Sequence, residues 1–103
     1  MKRIGEDENI PQTYNKLLDE GKADLEVVTA CFNEIDRRFT NWGSLKKIYD
    51  ELYPSILRQM VVHLLAKAAS TTEELEETLL LCDDNNPGPR GLAQDKLVKL
   101  SNV

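Results

Sequence analysis

Positions 24–41 read DLEVVTACFNEIDRRFTN. Within them Leu25, Val28, Phe32, Ile35 and Phe39 recur at alternating intervals of three and four. An α-helix brings that spacing onto one face. The charges agree. Asp24 and Glu26 stand where the helix dipole is positive, and Arg37 and Arg38 where it is negative. Burying each large residue of the seam contributes roughly 1.5–3 kcal/mol, so a helix over 24–41 is expected to be a pillar of the core. The seam is short for a coiled coil. A core helix is the first expectation, and a homodimer packed through the seam from Leu25 to Phe39 is the second.

Working outward, "NWGS" breaks the pattern. Gly43 is expected to stop the helix in a left-handed conformation and Ser44 to cap the next one. That helix, 44–53, would turn Leu45, Ile48, Tyr49 and Leu52 to one side before Pro54 ends it. The segment 55–69 is apolar on most sides, which places it in the middle of a bundle. A helix over 72–83 follows two overlapping capping boxes, Ser70 with Glu73 and Thr71 with Glu74. Leu75, Leu79 and Cys82 share its apolar face; Glu73, Glu74, Glu76 and Glu77 cover the rest. Leu80 and Leu81 fall on the acidic side. They are expected to be covered by a last helix, 89–101, whose stripe is Leu92, Ala93, Leu97 and Leu100. Before the pillar, 11–20 reads as a short helix, with Pro11 in its first turn, Gly21 at its stop, and Ile10 stapled onto Tyr14. No segment alternates with period two long enough for a strand.

The expected fold is therefore all-α: a single compact bundle of five to six helices at about 11–20, 24–41, 44–53, 55–69, 72–83 and 89–101. Residues 1–9 are expected to be a flexible tail and 10–103 one helical domain, a common size for a domain with its own core. The stretch from Asp84 resembles the second half of a HEAT-type helical repeat in the placing of Arg90, Ala93 and Leu97, with Pro89 departing from that pattern. The resemblance implies a helix-pair scaffold that binds proteins.

The chain holds 18 acidic and 13 basic residues, a formal net charge of −5. Wholesale nucleic-acid binding, which needs a basic face, is disfavoured. Cys31 and Cys82 lie in helical segments without metal-ligand spacing, so free buried thiols in a reducing compartment are expected. No apolar leader follows Met1, and no apolar run approaches the ~20 residues that span a bilayer. A cytoplasmic or nuclear protein is expected, or a component of a virus or plasmid acting inside the cell.

Catalytic chemistry finds little to build on. His63 is the lone histidine and sits in the most apolar helix, with no base or nucleophile at useful spacing. One histidine and two distant cysteines make no zinc set. Asp83, Asn85 and Gly88 match positions of a calcium loop, but Pro87 brings no side-chain oxygen to the fifth position and Gln94 stands where a bidentate Glu is required. Phosphate-binding glycine loops and the nucleophile elbow are absent. No catalytic residue, metal or cofactor is expected, and the chain reads as a non-enzyme.

The sharpest local feature is "RRFTNWGSLKK", 37–47, with four cations, no acid and the single tryptophan. Arg37 and Arg38 suit a helix end. Lys46 and Lys47 would lie in the first turn of the next helix, where the dipole disfavours them. They would pair with acids such as Asp50, Glu51 or the Glu6–Asp7–Glu8 tail, be indifferent, or face an anionic partner. Trp42 would close the corner or anchor a partner. Arg37, Arg38, Trp42, Lys46 and Lys47 are thus the candidate partner-binding residues. The expected function is a small acidic helical protein-binding module: an adaptor, inhibitor, assembly factor or immunity-type regulator, alone or within a larger complex, without catalysis. The alternative is a nucleic-acid-binding regulator with a helix-turn-helix-like pair at 71–101 and Arg90, Gln94, Lys96 and Lys99 as its contacts.

Overall fold

The computed structural model describes residues 9–82 and 87–101. They form a compact all-helical bundle: α1 Ile10–Asp19, α2 Leu25–Arg38, α3 Trp42–Glu51, α4 Ile56–Ala68, α5 Thr72–Leu81 and α6 Pro87–Ser101. The expected flexible tail falls, except for Asn9, outside the described residues. The same holds for Asp83 and Asn85 of the calcium-like loop.

Side-chain caps set most of the starts. Asn9 accepts from the Gln12 amide at 3.3 Å, and Asp24 from Val27 at 3.0 Å. Gly21, at φ 71°, ends α1; its amide and that of Lys22 donate to Leu18 and Leu17 carbonyls. At α5 Thr71 is the cap, and Glu74 reaches back one residue past it, to Ser70. The Glu74 amide donates to Thr71 Oγ1 at 3.1 Å, and the Glu74 carboxylate accepts from the Ser70 amide at 2.9 Å.

The α2–α3 corner differs from expectation. α2 stops at Arg38, three residues short of 41, and α3 begins at Trp42 rather than Ser44. The cause is Asn41. Its side chain accepts from the Ser44 amide at 3.2 Å, so Asn41 is the cap and its backbone must be extended. Asn caps a helix as well as Ser does. Phe39 is extended too, and Gly43 lies inside the first turn of α3 with no left-handed torsion.

α4 is central. It packs against α2, α3, α5 and α6, and buries Leu57, Val61, Val62, Leu64, Leu65 and Ala66. Two clusters of buried side chains form around it. The larger joins α1–α4; the smaller joins Ala66, Ala69 and Leu75 to Ala93 of α6.

Two apolar faces are rotated from their expected directions. On α2 the inward residues are Val28, Cys31 and Ile35, with Phe32 and Phe39 half-buried and Leu25 74% exposed. Leu25 opens the helix, outside both clusters of the core. Val28 and Ile35 are buried within the chain, so the seam does not offer itself intact to a second copy. On α5, α6 meets the side bearing Leu75 and Leu79. Leu80 lies about 100° further round the helix and is 85% exposed, while Leu81 packs on the larger cluster. The expected cover of Leu80 and Leu81 by α6 is therefore not formed.

Asn15 supplies a tie that ordinary helix propensity conceals. Its amide nitrogen donates to the Glu51 carbonyl at 2.8 Å and its oxygen accepts from the Tyr53 amide at 2.9 Å. One buried side chain of α1 thus satisfies the backbone where α3 ends. Arg58 closes the same end, donating to the Tyr49 carbonyl at 3.2 Å with its guanidinium 4.4 Å from the Tyr49 ring centroid.

Candidate functional site

The corner separates its five candidate residues. Arg37 pairs with Glu34 one turn back on α2. Trp42 turns inward and touches both core clusters. Its indole Nε1 donates to Thr78 Oγ1 at 2.9 Å. Lys46 meets Asp50 at 2.9 Å and Glu77 at 3.9 Å. Because α3 starts at Trp42, Lys46 and Lys47 lie beyond its first turn, and the dipole penalty expected there falls away. Pairing accounts for Lys46. Lys47 is exposed and has no hydrogen-bond or ion-pair partner among the described residues.

Lys47 and Arg38 come together instead at a groove of about 360 Å³. The end of α2 contributes Arg38 and Phe39, α3 contributes Ser44, Lys47, Ile48 and Glu51, and the start of α1 contributes Ile10 and Pro11. The Arg38 guanidinium lies 5.5 Å from the Phe39 ring centroid, a cation–π distance. The groove thus has an apolar floor, two cations and one acid at its rim. In the sequence Ile10 reads as a staple onto Tyr14 and Pro11 as a first-turn proline. Nothing in their spacing placed them beside the corner, because that neighbourhood is made by α1 packing on α3.

The α6 candidates divide into two pairs. With about 100° between successive residues, Arg90 and Gln94 lie to one side of the inward stripe of Pro89 and Ala93, and Lys96 and Lys99 to the other. Lys96 has a structural partner set: its ammonium donates to the Lys67 carbonyl at 2.6 Å and the Ala69 carbonyl at 3.1 Å, at the end of α4. Lys99 pairs with Asp95 at 3.1 Å. The four do not share one face on which to follow a groove of duplex DNA.

His63 is exposed on α4. Cys31 is fully buried and Cys82 half-buried, both unpaired thiols. Burial pushes the Cys31 thiol up to about 11. It raises Cys82 as well, where the charge of Arg90 acts in the opposite direction. Neither has the lowered pKa of a reactive thiol. No cluster of three or more His, Cys, Asp or Glu arranged to hold a metal occurs among the described residues, nor does a helix long and apolar enough to cross a membrane.

Thr78 was missed in the sequence. It is fully buried, and its hydroxyl also donates to the Glu74 carbonyl at 2.7 Å. A polar residue among Leu75, Leu79 and Cys82 was the available signal for a buried hydrogen-bond partner.

Comparison with protein-family models, curated proteins and solved structures gives no match to this chain.

Proposed function

We propose that this chain is a small acidic helical protein-binding module, acting through surface contacts and without catalysis, and that the corner groove receives an acidic segment of its partner. The observation that carries this is exposed Lys47, which lines, together with Arg38 and Glu51, a groove whose apolar residues are Ile10, Pro11, Phe39 and Ile48. Apolar side chains of a partner would supply contact area there, and a carboxylate would select orientation against exposed Lys47. The net charge of −5 makes this local basic rim distinctive. The adaptor, inhibitor, assembly-factor and immunity-type roles all remain forms of this one proposal.

The test is a titration of the labelled chain with a peptide of alternating leucine and glutamate, followed by amide chemical shifts. Perturbations centred on Ile10, Phe39, Ser44 and Ile48 are expected. Random duplex DNA at low salt is the second arm. Tight binding to it, falling steeply as salt rises, would replace the proposal with the nucleic-acid alternative.

A further inference from the structure

A second groove, of about 330 Å³, opens where α6 runs past the α4–α5 connection. Its lining is Ala69, Ser70, Leu75, Leu100, Lys96 and Lys99, with no acid among them. It is more apolar than the corner groove. Leu100 lies on the same side of α6 as Pro89 and Ala93, which are buried, yet it is 42% exposed. The inward stripe of α6 thus continues beyond the elements that cover it.

The two lysines distinguish this groove from a simple gap in packing. Lys96 is held by two carbonyls at the end of α4, which accept two of its three ammonium hydrogens. It has no ion-pair partner among the described residues. Lys99 pairs with Asp95, both well exposed, and such a pair exchanges readily for another carboxylate. A groove lined by apolar side chains and two lysines, one oriented by carbonyls and one in an exposed ion pair with Asp95, is complementary to an aliphatic side chain flanked by a carboxylate.

We propose that this groove is a second docking surface, taking a leucine- or isoleucine-bearing acidic segment of a partner polypeptide. It rests on the protein-binding function proposed above and adds a surface that the corner does not supply. A module with both grooves would hold one acidic partner at two points, so that the second contact is gained at raised effective concentration.

The same leucine–glutamate peptide tests it, in the full chain. Shifts at Ala69, Ser70, Leu75 and Leu100 are expected. Lys99→Glu should weaken that set about fivefold, in the range of an exposed ion pair. Leu100→Ala should weaken it as well; both residues are exposed enough to change without unfolding the chain. Lys47→Glu should leave the set unchanged, which separates this groove from the corner. A glutamine-for-glutamate peptide that binds here equally well would overturn the role of the lysines. Absence of shifts here while the corner responds would overturn this inference and leave the corner intact. Shifts caused by phosphatidylglycerol vesicles but not by the peptide would overturn the choice of a polypeptide. Concentration-dependent shifts without peptide would assign the groove to a second copy instead.

Discussion

Trp42 Nε1 donates to Thr78 Oγ1 at 2.9 Å, and that hydroxyl donates onward to the Glu74 carbonyl at 2.7 Å. The first residue of α3 is thereby fixed to the buried face of α5, between the two parts of the core. Removing the ring should therefore damage the fold. Trp42→Ala is expected to cost about 3 kcal/mol, and Trp42→Phe, which retains most of the area but loses the donor, about 1 kcal/mol. Urea denaturation measures both. An unchanged midpoint for Trp42→Ala would show that the tryptophan is not a structural plug.

Asn15 should be more costly than its size suggests. Asn15→Ala strands the Glu51 carbonyl and the Tyr53 amide at the end of α3, with an expected loss of about 2 kcal/mol. Hydrogen exchange should accelerate first around Tyr53. A loss below about 0.5 kcal/mol, the scale of an ordinary surface substitution, would mean that water replaces Asn15 without penalty.

Cys31 links stability to alkaline pH. Its folded value, about 11, lies above the ordinary 9.0. Between the two values the unfolded chain loses its thiol proton while the folded chain keeps it, so stability falls as pH rises through that window. Below it the full contribution is present. Thermal melts from pH 9 to 11 should fall more steeply for the natural chain than for Cys31→Ala; equal slopes would contradict the shift. The half-buried Cys82 should also react with a thiol reagent before Cys31 in the folded protein.

Lys96 and Lys99 should separate in their effects on stability. Lys96→Met removes the ammonium that caps the end of α4 and is expected to cost about 1–2 kcal/mol. Lys99→Met alters an exposed pair and should stay within about 0.5 kcal/mol. Equal losses would contradict the structural assignment of Lys96.

The helices were legible because local rules determine them. Thr71 with Glu74 at the start of α5, Gly21 as a stop and the apolar richness of α4 each act as read, whereas Asp24, read only for its charge at the positive end of α2, also caps that helix. The corner misled because Asn41 and Ser44 compete for the same cap, and their difference is smaller than what tertiary packing decides. Leu25 and Leu80 misled for another reason: periodicity gives a face, but not the extent of the neighbour that covers it. The corner's cations were visible as a group. Their division into Arg37 with Glu34, Lys46 with Asp50 and the groove pair of Arg38 with Lys47 depends on rotation about α2 and α3 and on the arrival of α1. No spacing in the sequence encodes that arrival.

The corner groove is tested most directly by Lys47→Glu. This exposed residue has no partner among the described residues, so the variant should keep the stability of the natural chain to within about 0.5 kcal/mol. Titrated with the leucine–glutamate peptide, it should lose the shifts at Ile10, Phe39, Ser44 and Ile48 that the natural chain gives. If the variant folds normally and those shifts persist at the same affinity, the corner is a structural joint and the proposed acidic partner does not bind there.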